Sequence, residues 1–426
     1  MKLTRLTLTL LLLCGTLILE AKTFTFDQVN AMPRSIEKDY YIWRLLSQNT
    51  TTAAQARAII QGATAINKKL RESYQTRTGQ NPPAVAPYST GCVAIPPKNW
   101  KNRSVANKSF KHGLALMKQS KPEQAAAYFE TARKNYPEKY DVDKSLFWLY
   151  LSTKDPAYIK LLRQSYHVNI YTLIAADTIN GKYPKTITKS ISQSRTPGFN
   201  IQNPIDWAKV KIRMNRSYDL HGLANNYQSQ ECIGVYTYLK AQASNHMDAY
   251  FPMPYRNAMK NMSPQRQALI YALARQESRF VPASVSRSFA LGMMQFMPFL
   301  IDHVSKEKGE RIDYDEIFNP YKAIEYADFH LDYLTKYLHH PLFVAYAYNG
   351  GIGFTRRHIK DHRNFRTGPY EPYMSMEMMS NDEAREYGKK VLTNYVIYLN
   401  KLGVPTRIFP LLKTLATPSL TDEFRN

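Results

Sequence analysis

Apolar positions along this chain recur at helical spacing. Ile36 to Leu46 and Ala53 to Leu70 both read as amphipathic helices. A proline-rich stretch, NPPAVAPYSTGCVAIPP, lies within residues 74–104 and predicts a loop there, because proline removes a helix donor. Helical pattern then resumes. Gly113, Ala125, Phe129, Ala132 and Pro137 stand at the offsets of a tetratricopeptide unit. In such a unit the glycine and alanines let two helices approach, Phe129 fills the gap, and Pro137 ends the second helix. A generic helical hairpin would carry the same pattern. A Ser/Thr/Pro/Asn-rich stretch from Lys185 to Pro204 interrupts the region, which is expected to run to about residue 250. Ser263-Pro264 then opens a further helix, an N-cap serine followed by proline at the first helical position.

Composition supports the helical reading. Only 17 of 426 residues are glycine, which disfavours a turn-dense β fold and points to an all-α chain. Lys+Arg exceeds Asp+Glu by 57 − 34 = 23, so the preferred partner is anionic. The N-terminus narrows the choice. Lys2 and Arg5 precede a nearly apolar run, Leu6 to Leu19, and Ala21 is a possible cleavage point, so residues 1–21 read as a signal peptide. Export to the periplasm removes nucleic acid from the list of partners and leaves cell-wall polymer. No later stretch has transmembrane length, so no integral span is expected after cleavage. Cys14 would leave with the signal, and Cys92 and Cys232 would then be free to pair in an oxidising compartment. No cysteine or histidine spacing suggests a metal site. The expected division is a signal peptide at 1–21, a superhelical α region at 22–250, a catalytic domain at 251–411 and a C-terminal tail at 412–426.

The chemistry is concentrated after Tyr255. In SPQRQALIYALARQES, residues Ile270, Leu273, Ala274 and Glu277 fall at i, i+3, i+4 and i+7 and share one helix face. A carboxyl at the end of an apolar stripe has its charged form disfavoured, so its pKa rises, as general-acid work requires. A glutamate at a core edge that merely reaches water would look the same. Arg275 and Arg279 project from other faces. Gln295 lies in the apolar run ALGMMQFMP, where an amide needs a partner, either a core group or a sugar. In AYAYNGGIG, small residues flank Tyr346, Tyr348 and Asn349, and glycines end the helix.

Taken in order, ARQESRF (274–280), ALGMMQFMP (290–298), FNP (318–320) and AYNGGIG (347–353) resemble the catalytic domain of the soluble lytic murein transglycosylases. AYFPMPYRNAM resembles the lead-in to that domain, and Glu377 and the Glu383 to Tyr387 stretch resemble its downstream motifs, so the likeness spans about residues 249–400. The resemblance implies a lysozyme-like catalytic domain after a helical superhelix. It also implies cleavage of the β-1,4 bond between N-acetylmuramic acid and N-acetylglucosamine, without metal or organic cofactor. Glu277 would protonate the glycosidic oxygen and then deprotonate the muramyl 6-hydroxyl, which closes on C1 as a 1,6-anhydro sugar. Gln295, Met297, Tyr348 and Glu377 would line the cleft, with Ser278, Tyr346 and Asn349 in support. Where the family has Gly-Ala, this chain has Phe289-Ala290, and Phe289 is expected to add bulk beside the cleft.

The partner so implied is the glycan strand of peptidoglycan; cell-wall synthesis or division proteins are further candidates. A muramidase of the same fold would cut the same bond with water, with Glu377 as the first candidate for its second carboxylate. A non-catalytic wall-binding scaffold is a third reading. The helical region is expected to bind wall while remaining dispensable for bond cleavage.

Overall fold

The computed structural model describes residues 22–86 and 100–425. The expected signal peptide and Cys92 lie outside the described residues. Among the described residues the regular structure is helical, with strand pairing confined to isolated bridges. The chain is therefore all-α. No described helix is long and apolar enough to cross a membrane.

The first expected helix is present as Ile36–Ser47, capped by the Ser35 side chain, which accepts from Lys38 N at 3.1 Å. The second is broken. Ala53–Ile59 passes through a 3₁₀ turn, Ile60–Gly62, and a new helix, Lys68–Thr78, starts on an Asn67 cap. The cause is Asp39, whose buried carboxylate accepts from Thr64 N at 2.7 Å, from Ala65 N at 3.2 Å and from the Thr64 hydroxyl. Those backbone donors would be spent inside a continuous helix. The proline-rich loop is also shorter than expected. Lys68–Thr78 runs into its start, and the helix Trp100–Lys118 begins before its end.

Trp100–Lys118 and Pro122–Asn135 form the close hairpin that the glycine and alanines foretold. A Cβ on Gly113 would stand 2.6 Å from Cε1 of Phe129, so only glycine lets the helices meet at this depth. Phe129, Ala125 and Ala132 are fully buried between them.

The 412–426 segment is no loose tail. Its helix Ile408–Thr414 starts before it, and Arg425 is buried in an ion pair with Asp422 at 2.8 Å while donating to the Phe365 carbonyl at 2.9 Å.

One apolar core runs through both the helical region and the C-terminal part, and a smaller one gathers Trp207 to Leu239 around Val281 and Ala283. Several contacts join the two parts. Tyr40 and Trp43 pack on Phe289, and Trp43 stacks on Tyr314 as well. Arg44, on the same helix, pairs with Asp313 at 2.5 Å and Asp315 at 3.2 Å. Gly234 lies so close to the turn after Glu277 that a Cβ there would fall 2.0 Å from the Phe280 carbonyl oxygen. Finally, the Tyr171 hydroxyl donates to Glu377 at 2.7 Å. A catalytic part that stands alone from about residue 250 is not what this packing supports. Removing the helical region would strip apolar cover from Phe289 and Phe318, both buried.

Phe289 does not border the cleft. It is 1% exposed, beneath Tyr40 and Trp43, so its bulk enters an internal interface and not the cleft. Its φ of +63° is left-handed backbone, which glycine adopts without strain. Here aromatic packing offsets that strain.

Cys232 is buried at the start of the helix Ile233–Ala243 and makes no disulfide among the described residues.

Candidate active site

The helix Pro264–Glu277 begins on Ser263, whose hydroxyl accepts from Arg266 N at 3.2 Å. Its stripe, Ile270, Leu273 and Ala274, is buried, and Glu277 is its last residue. Ser278 caps the C-terminus and donates from Oγ to the Met293 carbonyl at 2.8 Å. Arg279 and Phe280 then adopt left-handed backbone, φ +54° and +66°. Two successive non-glycine residues in this region are costly, and such strain persists only where the surroundings over-determine it. Here Gly234 and the Ser278 bond hold the turn.

The loop pinned by Ser278 folds back on itself through Leu291 and Phe296, which exchange two backbone hydrogen bonds of 2.9 Å. Gly292, at φ +77°, stands against the Ile317 carbonyl, where a Cβ would come to 2.5 Å. Gln295 takes φ +52°, and its amide nitrogen donates to the carbonyls of Gly292, at 2.9 Å, and Ser284, at 3.3 Å. The Gln295 nitrogen thus closes the loop. Its Oε1 accepts no hydrogen bond among the described residues. Met297, half-buried, caps the next helix, Pro298–Glu307.

Two tyrosines complete the surroundings of Glu277. Tyr387, on the long helix Asp382–Lys401, donates to Glu277 Oε1 at 2.6 Å. Tyr348, from Pro341–Gly350, donates to the Met294 carbonyl at 3.0 Å and lies within electrostatic reach of Glu277. Burial pushes the Glu277 carboxyl up to about 7; the Tyr387 bond opposes this, and the nearby Glu383 charge adds to it. Asn349 donates to Glu383 Oε1 at 3.4 Å. The result is a carboxyl half in its proton-carrying form near neutral pH, in a mainly apolar and aromatic setting, with a second carboxylate nearby. That arrangement can give a proton and take one back.

The family model described as "Transglycosylase SLT domain" matches residues 254–370. Residues 254–370 are thus similar to an SLT domain. Two curated relatives are both called soluble lytic murein transglycosylase. The Escherichia coli K12 protein is 24% identical over an alignment of 263 residues that covers 55% of this chain and 39% of that protein. The Salmonella typhimurium LT2 protein is 24% identical over 258 residues, with the same coverage. This chain thus spans about two fifths of the length of those relatives. Among solved structures, lytic transglycosylase Slt from Pseudomonas aeruginosa, an inactive mutant, superposes with a TM-score of 0.53 at 17% identity. It covers 90% of this chain and 63% of that one, a likeness in fold that includes the helical region.

Not every residue expected in the SLT cleft is there. Glu377 is 7% exposed and lies in an ion pair. Lys389 Nζ, itself fully buried, reaches both its oxygens at 3.0 Å, and the Tyr171 hydroxyl reaches Oε1. Its carboxylate is thereby committed to the junction with the helical region and is not free for substrate or for a second acid's work. Tyr346 is likewise in the core, 0% exposed, against Gly388, where a Cβ would come to 2.1 Å of its ring. Alternate tyrosines of one helix point to opposite sides, so Tyr348 faces Glu277 while Tyr346 faces the interior.

Tyr387 and Glu383 are the residues that the sequence argument left without a role. A signal existed. They are four apart on a helix, so they share a face, and both fall in the motif-like stretch after Glu377.

Proposed function

We propose that this chain is a peptidoglycan lytic transglycosylase acting in the cell envelope. The observation that carries the reading is the proton-bearing Glu277 beside Tyr387 in an SLT domain. Protonated Glu277 donates to the glycosidic oxygen between N-acetylmuramic acid and N-acetylglucosamine, and the C1–O bond breaks. The Glu277 carboxylate then takes the proton of the muramyl 6-hydroxyl as that oxygen bonds to C1. The proton returns to Glu277, no water is consumed, and the product ends in a 1,6-anhydro sugar. An internal hydroxyl has a large effective-molarity advantage over water, several powers of ten. Tyr387 supports the charged form of Glu277 after proton loss. Ser278, Gln295, Met297, Tyr348 and Asn349 shape and line the site, with the free Oε1 of Gln295 as an acceptor for a sugar hydroxyl or amide.

One observation favours a second reading. Glu383 is near enough to raise the Glu277 pKa, and a hydrolase of this fold would need such a carboxylate as base. The product separates the two. Purified sacculi treated with the full chain should release muropeptides that lack a reducing end and resist borohydride. Reducible products one water heavier would establish hydrolysis, with Glu383 as the base.

A further inference from the structure

The helix Ile352–Lys360 follows the Tyr348 helix, Pro341–Gly350, after the single residue Gly351. It buries Thr355 and Ile359 and turns Gly353, Arg356, Arg357 and Lys360 outward, at i, i+3, i+4 and i+7. The turn after it adds exposed His362 and Arg363, and these side chains with Asp361 line an open concavity of about 600 Å³. Four of the lining residues are Lys or Arg and one is acidic. That acid is already engaged, because Arg363 donates to Asp361 Oδ1 at 2.9 Å and to Oδ2 at 2.6 Å. Arg356, Arg357 and Lys360 have no carboxylate partner among the described residues, and Arg356 lies 5.4 Å from the centre of the Phe424 ring.

One cation in the last turn of a helix is ordinary, since it meets the negative end of the dipole. Three unpaired cations on one face repel each other, and no group of the chain offsets that repulsion. An anion from outside the chain would.

The make-up of the face selects among anions. Among the described residues 351–366 no large apolar side chain is exposed. A protein partner would need an apolar patch at the centre of its interface, and this face has none. The cations are gathered on one helix face and the turn behind it, and are not drawn out into a groove that would track a polyanionic strand. A layer of phosphate headgroups meets such a compact face from one side, with guanidinium forks on phosphate oxygens and Lys360 as a point charge. Because the outward face is polar throughout, the helix would adsorb at the headgroups without entering the acyl region. We propose that this face docks the protein on a membrane rich in anionic phospholipid. The Phe354 ring packs against Gly350, where a Cβ would come to 3.1 Å of it, so the docking face is closely joined to the Tyr348 helix. Docking therefore holds the candidate active site at a set distance from the membrane. The choice of an envelope membrane rests on the transglycosylase reading.

Flotation of the full chain with lipid vesicles tests this. Vesicles of phosphatidylglycerol and phosphatidylcholine in equal parts should carry the protein, and vesicles of phosphatidylcholine alone should not. R357Q/K360Q should weaken binding about twentyfold and K360Q alone about fivefold, each cation near an anionic surface counting as a factor of about five. R357K/K360R keeps the charge and should bind like wild type. R213Q/R216Q removes the same charge from the exposed end of the helix Pro204–Arg216 and should also bind like wild type. All four variants should melt with the wild type, since the altered side chains are exposed. Equal binding to the two kinds of vesicle, no loss in R357Q/K360Q and K360Q, the same loss in R213Q/R216Q, or tighter binding of soluble polyphosphate than of the anionic vesicles overturns the proposal. A full chain that binds the vesicles as stated and leaves sacculi uncut would sink the transglycosylase reading alone.

Discussion

The ring of Phe289, in the SLT domain, stacks on Trp43 of the helical region, with centroids 5.7 Å apart and planes 28° from parallel. Phe289 holds a left-handed backbone to do so. The contact forms part of the seam between the two regions of the chain.

Trp43→Ala should cost about 3–5 kcal/mol, the usual range for a buried aromatic truncated in a core. Phe289→Gly should cost less, about 1–3 kcal/mol, because glycine relieves ~1–2 kcal/mol of left-handed strain while losing the packing. Denaturant unfolding of the full chain measures both. By the same logic a fragment starting near Tyr250 should unfold without a cooperative transition. A fragment with a sharp transition and full activity would show the seam to be dispensable.

Gly234→Ala reports on the turn after Glu277 from the other side of that seam. The added methyl would fall on the Phe280 carbonyl oxygen, a backbone atom that cannot swing away. The turn must shift, and overpacking of this kind costs about 1–3 kcal/mol. Turnover should fall as Glu277 is displaced, even though position 234 is remote from substrate. Wild-type kinetics and melting in this variant would contradict the packing.

Glu277→Gln should remove activity, about 10²–10⁴-fold, because an amide can neither give nor recover the proton. The same change tests the electrostatics. The folded-state pKa of about 7 lies above the ordinary 4.5, so Glu277 stabilises the fold when protonated, and that contribution is lost as pH rises through about 7. E277Q should therefore melt no lower than wild type at pH 8. In the wild type, cleavage should fall on the alkaline side of about pH 7, where the acid is ionised. Glu383→Gln removes a neighbouring charge and should move that limb to lower pH. Tyr387→Phe removes the bond to the charged form and should move it higher. Profiles that stay in register across the three proteins would separate the limb from Glu277.

Lys389→Met should be strongly destabilising, about 3–5 kcal/mol, because it leaves the Glu377 carboxylate buried and unpaired. Adding Glu377→Gln should restore part of that loss, a coupling that a double-mutant cycle resolves. Glu377→Gln alone should leave the pH profile of cleavage in place. A Glu377 variant that folds but loses the chemical step would return this residue to the cleft.

Much of the local structure follows from the sequence alone. Ser263-Pro264 sets a helix start, Gly113 and Phe129 set a close hairpin, and the spacing of Ile270, Leu273, Ala274 and Glu277 sets a carboxyl at the end of an apolar stripe. These features depend on residues within a turn or two of each other, and helical periodicity reports such neighbours directly. The order of motifs from Glu277 to Gly353 likewise marked the SLT domain. Partnerships across long stretches of chain were decided only by the tertiary structure. Asp39 breaks a helix by capturing donors 25 and 26 residues on, Lys389 draws Glu377 out of the cleft, and Trp43 covers Phe289 from the far end of the chain. Each outcome turns on which buried charge or ring meets which partner. Desolvation makes such meetings strong, and nothing in local spacing encodes them.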